Sequence, residues 1–211
     1  MPFYILFPVR FRKITGLLHG EIFLPMVLGE PIYSFRRYSF NHLVFLGHWE
    51  DSKAFETFKI RSPKSQFQYG WSLTLSLYRR WGKIKEIESA TLYPRLSPNT
   101  NETVAVTLAR LKLSELFRFA KWGKPVEKQV RDHKKQKLAF AAFRPFGNFF
   151  TFSIWESEEA MVGMVHGTQP NLDGLKHKEA MSERNRKDFH FEFTTLRCEI
   201  LEKSGFEYSH F

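Results

Sequence analysis

Apolar and polar residues alternate most cleanly in two stretches, Trp71–Leu77 and Thr103–Leu111. In the second, Val104, Val106 and Leu108 fall on one face and Thr103, Ala105, Thr107 and Ala109 on the other, the period of a strand. Behind it, Ser114 is placed to cap a helix starting near Glu115, with Leu116, Phe117 and Ala120 inward. Gly123 predicts a break there, and Pro125 the first turn of a continuation carrying Val126 and Val130. Leu138–Phe143 and Phe149–Trp155 read as strands around an Arg144-Pro145-Phe146-Gly147 turn. Ser157 caps a helix bearing Ala160, Met161, Met164 and Val165, a more polar helix spans about Leu175–Lys187, and a last strand runs from Phe189 to Leu201. The order β-α-β-β-α-β predicts ferredoxin-like topology.

The first half gives a weaker version of the same order. Phe3–Phe7 reads as a strand, Ile14–Val27 as a weakly helical segment broken by Gly16 and Gly20, and Pro31–Tyr38 and Asn41–Trp49 as strands. Asp51 caps a helix with Ala54, Phe55 and Phe58, and Trp71–Leu77 closes the unit. His48-Trp49-Glu50-Asp51 and Ile154-Trp155-Glu156-Ser157 lie 106 residues apart in a chain of 211, each followed by an Ala and a large apolar residue. This internal repetition predicts an α+β protein of tandem ferredoxin-like units whose antiparallel sheets pack as a pseudo-dimer. The units are 1–95 and 102–203, with 96–101 as linker and 204–211 as tail.

Composition narrows the chemistry. The 23 phenylalanines predict either a roomy apolar cavity or a core filled by rings. Cys198 is the single cysteine, so no disulfide framework forms within the chain, and its alternating surroundings predict a buried small residue rather than a nucleophile. No apolar run is long enough to span a membrane and the amino-terminal segment lacks the order of a secretory signal, so a cytoplasmic protein is expected. The formal charge of +10 suits an acidic electron-transfer protein such as ferredoxin or a peripheral membrane contact, and no specific nucleic-acid motif accompanies it. Phosphate-loop, zinc-protease and nucleophile-elbow motifs are absent from the sequence.

The densest polar constellation is His177–Lys187. On a helix, His177, Ala180, Met181 and Arg184 share one face. A neutral imidazole beside Met181 with Arg184 a turn or two away suits haem iron and a propionate, and equally an ordinary surface helix. His166 and His133 are the other candidate iron ligands.

Residues 151–161, the His177 helix, and Phe189 to Leu201 resemble the spheroidene monooxygenase family, the acyclic carotenoid ketolases. Val106–Leu111 and Leu116–Phe119 are similar to that family's Thr-Arg-Ala strand and aromatic helix, with the arginine displaced to Arg110. The resemblance implies a dimeric ferredoxin-like protein and haem-associated oxygen chemistry on a long hydrophobic isoprenoid. It carries His177, Ala180 and Arg184 onto that family's His-centred helix, with His177 as the iron ligand, Arg184 as the propionate contact and Trp155 as pocket packing; Met181 joins the cofactor's surroundings as the apolar neighbour on the same helix face. Two other readings accompany it: a cofactor-independent ferredoxin-like monooxygenase, and a non-enzymatic carrier of haem or a hydrophobic ligand.

Overall fold

The computed structural model describes residues 14–61, 70–95, 102–145, 147–166 and 174–205. Seven antiparallel strands form one sheet: β1 (Leu17–Met26), β2 (Val44–Trp49), β3 (Ser72–Lys83), β4 (Thr103–Leu111), β5 (Gln136–Arg144), β6 (Asn148–Trp155) and β7 (His190–Ser204). Their order is β2-β1-β5-β6-β4-β7-β3. Among the described residues four helices accompany them: α1 (Ser52–Arg61), α2 (Leu116–Arg131), α3 (Glu158–His166) and α4 (Gly174–Arg186). The expected Phe3–Phe7 strand and the 96–101 linker lie outside the described residues.

The second half has the expected arrangement. Strands β5-β6-β4-β7 stand in ferredoxin-like order. Strand β6 is buried on both sides: Phe150, Phe152 and Ile154 enter the main core, while Phe149 and Trp155 enter clusters beneath the helices. Helix α2 runs unbroken through Gly123 and Pro125, against expectation. Phe119, Trp122 and Val130 pack on one cluster before and after the proline, and this continuous apolar stripe outweighs the hydrogen bond that Pro125 forfeits. The thiol of Cys198 is buried and pushed up to about 12 by desolvation, so it is not a nucleophile.

The first half departs from its expected form. Ile14–Val27 is not helical; Leu17–Met26 forms β1, because Ile22, Phe23, Leu24 and Met26 are held between β2 and β5. Pro31–Tyr38 is not a strand but a turn closing on the 3-10 segment Phe35–Arg37, capped by the Ser34 hydroxyl. Instead of two separate face-to-face sheets, the described strands of the first half flank those of the second, with β1 on β5 and β3 on β7.

Within this single sheet one unit is repeated in detail. Leu17 pairs with Trp49, and after a bulge His19 pairs with His48. Gln136 pairs with Trp155, and after a bulge Leu138 pairs with Ile154. Each tryptophan leads into a helix whose third residue past the cap donates its N–H to the cap: Ala54 to Asp51 at 2.8 Å, Ala160 to Ser157 at 3.1 Å. Each indole N–H also turns back over the residue two before it. Trp155 donates to the Ser153 hydroxyl at 2.8 Å, and a Cβ on Gly47 would stand 2.6 Å from Trp49 Nε1. Continuing the register, Glu21 corresponds to Phe140 and Leu24 to Phe143; Leu24 and Phe143 are themselves paired across β1 and β5. The two hairpins therefore meet about a local two-fold axis.

Phenylalanine fills the interior rather than lining an open channel. Phe23 stacks on Phe150 at 5.3 Å, Phe140 on Phe152 at 5.2 Å, and Phe140 lies 5.9 Å from Phe150.

Candidate functional site

A polar cluster interrupts this core where β1, β4 and β6 come together. His19 and Glu21 share a face of β1 because side chains two apart on a strand point the same way. The His19 imidazole donates to Glu21 Oε1 at 2.9 Å, and the Asn148 amide donates to Oε2 at 3.0 Å. Arg144 approaches the same Oε2 at 3.6 Å. Arg110, from β4, pairs with Glu86 and, at 2.6 Å, with Glu192 of β7. Of these groups, His19, Glu21, Arg110 and Asn148 line a small cavity of about 20 Å³, whose remaining wall is Phe23, Leu46, Ile84, Ile87, Leu108, Ala109 and Phe149. That volume accommodates about one water-sized molecule, far below the few hundred Å³ of a typical ligand pocket.

The electrostatics of the cluster follow from burial against pairing. Burial raises the proton affinity of Glu21, but hydrogen bonds from His19 and Asn148 and the charges of His19 and Arg144 outweigh it and hold the carboxyl below its ordinary value. Glu86 is lowered in the same way: burial opposes, and Arg110 prevails. Arg110 is correspondingly raised by Glu86 and Glu192 despite burial. His48, cross-strand from His19, is lowered chiefly by burial and further by the charge of His19, although a hydrogen bond to the Glu86 backbone works the other way. Its imidazole is therefore neutral at pH 7.

Two buried acceptors are left over here. His48 Nδ1 and Glu86 Oε2 have no hydrogen-bond partner among the described residues. A buried polar atom without a partner costs about 1–3 kcal/mol, so each calls for a donor, a water or a ligand hydroxyl; both adjoin the cavity through a lining residue, His48 through His19 and Glu86 through Arg110. The repeat strengthens this reading. The positions equivalent to His19, Glu21 and His48 are Leu138, Phe140 and Ile154, all buried in the main core. Apolar side chains satisfy this piece of backbone in one half, so the fold does not require the polar trio in the other.

The residues predicted for haem are placed elsewhere. His177 lies on α4 facing the end of α3; burial, the charge of His166 and a backbone contact at Val165 act on it, with burial dominant and its pKa lowered. Met181 is half-buried on the same helix. Arg184 stacks 4.0 Å over the Phe193 ring and approaches Asp188 at 3.7 Å. Trp155 is 1 % exposed, sealed under α3 with Ala160, Met161 and Met164, and stands edge-on to His133 at 5.0 Å. As a set these residues do not fit a haem. Arg184 is engaged by Phe193 and Asp188, and Trp155 fills a core instead of lining a space. Among the described residues, no group of three or more His, Cys, Asp or Glu side chains is arranged to hold a metal ion.

His19, Glu21 and His48 belong to no local motif in the sequence. Alignment of the two repeats could have found them, because each stands opposite a core residue.

No protein-family model matches the chain, and no curated protein matches its sequence significantly. Among solved structures, a candidate monooxygenase from Fusobacterium nucleatum is similar at a TM-score of 0.44 and 12 % identity, over 90 % of this chain and 78 % of that one. Another from Lactobacillus acidophilus gives 0.42 and 8 %, over 91 % and 80 %. An anthrone oxidase-like protein gives 0.38 and 9 %, over 95 % and 85 %.

Among the described residues, no helix is long and apolar enough to cross a membrane.

Proposed function

We propose that this chain is a monooxygenase-type oxidoreductase acting at the His19–Glu21–His48 cluster on a compact, electron-rich enol or phenol, without a prosthetic group. The observation that carries the reading is the pair of unpartnered buried acceptors, His48 Nδ1 and Glu86 Oε2, on residues that adjoin the cavity lined by His19, Glu21, Arg110 and Asn148. A phenolic or enolic hydroxyl supplies a donor and is all that the cavity of about 20 Å³ takes; its conjugated ring enters only where Phe23, Leu46 and Leu108 give way. Oxygen as the co-substrate comes from the sequence resemblance to carotenoid ketolases.

The chemistry balances without an added reductant. Neutral His48 takes a proton from an activated methylene conjugated with the hydroxyl, leaving a carbanion spread over the ring system. The carbanion passes one electron to dioxygen, and the resulting radical and superoxide join in a C–O bond. The peroxide anion takes back the proton that His48 now carries, which restores the neutral base, and the His19 imidazole, oriented by Glu21, accepts a hydrogen bond from the hydroperoxide. His48 then takes the second C–H proton as the O–O bond breaks and the carbonyl forms, and the departing hydroxide takes that proton from His48 and leaves as water. The methylene loses four electrons and dioxygen gains four.

The test is oxygen uptake by metal-stripped protein supplied with hydroxylated anthrones and naphthols, against heat-denatured protein as the autoxidation control. Uptake with one water formed per ketone is expected. Uptake that starts only when haem is added, with a Soret band lost in His177→Ala, would contradict this reading and favour haem-dependent oxygenation of an isoprenoid. Stable retention of the probes without oxygen uptake would favour a carrier.

A further inference from the structure

We infer that the face formed by α2 and the 29–40 loop docks on an anionic lipid bilayer. The loop presents Tyr33 at 83 %, Phe35 at 85 % and Phe40 at 58 % exposure. It does so from a rigid frame. Arg37, 5 % exposed, makes two hydrogen bonds to the Glu127 carboxylate at 2.8 and 2.9 Å and one to the Glu30 carbonyl at 2.6 Å. The Gly29 N–H donates to Glu127 at 2.9 Å, and the Tyr38 hydroxyl to the Ile32 carbonyl at 2.7 Å. A loop tied down this firmly, with its large rings outside, holds them for something beyond the chain.

The adjoining helix supplies charge of one sign. Lys121, Lys124, Lys128 and Arg131 recur at three- and four-residue spacing, so they form a stripe along α2, opposite the Phe119, Trp122 and Val130 face that enters the core. The stripe borders the loop directly: a Cβ on Gly29 would stand 2.6 Å from Lys128, and Arg131 donates to the Leu28 carbonyl at 3.2 Å. Of the carboxylates near the stripe, Glu127 is engaged by Arg37 and Asp132 by Arg131, while Glu30 of the loop offsets part of the charge of Arg131. Arg36 adds an exposed cation between the aromatics. Basic residues beside exposed Tyr and Phe match the two terms of interfacial binding, attraction to anionic headgroups and partition of rings at the acyl boundary. Nucleic acid would share the charge term, but stacking on bases uses rings set along a groove, whereas Tyr33 and Phe35 stand at a nearly fully exposed loop tip. This inference is independent of the proposed reaction.

The experiment is co-sedimentation of the full chain with vesicles of phosphatidylcholine alone or with 30 mol% phosphatidylglycerol. Binding is expected to the anionic vesicles only and to weaken with salt. Tyr33→Ser with Phe35→Ser, and separately Lys124→Glu with Lys128→Glu, are each expected to weaken it at least about tenfold. All four positions are solvent-facing or part-exposed, so circular dichroism and melting temperature should stay unchanged. Absence of binding to anionic vesicles, equal binding by both double variants, or tighter binding to single-stranded RNA than to vesicles would each overturn the inference. So would loss of a homodimer, in place of vesicle binding, in the aromatic variant.

Discussion

His48→Ala should lower the oxygen-uptake kcat by about 10²–10⁴-fold, the range for removing a positioned general base, while the chain stays folded. The imidazole is half-buried at a strand position whose counterpart in the other repeat is Ile154, so the fold tolerates an apolar residue there. The pH profile distinguishes a base from a packing residue. Burial and the charge of His19 hold the folded-state pKa of His48 below 6.5, so the free base persists under mildly acidic conditions. kcat/KM should fall only below pH 6.5, and that acid limb should disappear from the residual activity of the variant. The same depression sets the sign for stability. His48 contributes most above its unfolded pKa near 6.5, and the contribution is lost as pH falls through the lower folded value. Glu21, also depressed, follows the same direction around its own range, starting near pH 4.5. An unaltered profile in His48→Ala would remove this residue from the reaction.

Trp155→Ala should cost about 3–5 kcal/mol of unfolding free energy, measured by urea denaturation, and Trp49→Ala distinctly less. Both tryptophans end equivalent strands, but their surroundings differ. Trp155 is 1 % exposed and packs on Ala160, Met161 and Met164, with its N–H satisfied by Ser153. Trp49 is only half-buried and packs on the rings of Phe55 at 5.4 Å and Phe58 at 5.2 Å. Truncation at Trp155 leaves a cavity that tight neighbours cannot close, whereas at Trp49 solvent already reaches the site. Equal losses would mean that the first repeat is as firmly packed as the second.

The second half was legible in sequence because its signals are local. Alternation marks β4, Pro145 and Gly147 mark the hairpin, and Ser157 with Glu158 and Glu159 marks the start of α3. The Trp–Glu repeat correctly pointed to equivalent strand ends. The first half misled where tertiary pairing overrides local preference. Gly16 and Gly20 looked like interruptions in a helix, but Gly16 has φ 76° with Ala54 against it, and Gly20 lets the Phe45 ring lie across β1. Nor can sequence show that strands of the first half attach to both sides of the second, since β1–β5 and β3–β7 are long-range pairings. The candidate site escaped for the same reason. His19, Glu21, Glu86, Arg110 and Asn148 are scattered over 130 residues and become one cluster only when the sheet forms. Conversely, His177, Met181 and Arg184 are conspicuous in sequence because they are close together, and spacing alone does not reveal that Arg184 is held by Phe193.

The central claim is that the first repeat keeps a polar trio where its fold would accept apolar residues, and keeps it for chemistry. The most direct measurement is thermal melting together with oxygen uptake in the triple variant His19→Leu, Glu21→Met, His48→Leu, which makes this region resemble Leu138, Phe140 and Ile154. Replacing a polar set by apolar side chains of similar volume is commonly neutral or stabilising, and the partners that Glu21 leaves behind, Arg144 and Asn148, are part-exposed and can turn to water. A melting temperature equal to or above that of the parent is expected, with oxygen uptake at the autoxidation background. A melting temperature lowered by ten degrees or more, with oxygen uptake undiminished, would contradict the claim and make the trio part of the scaffold.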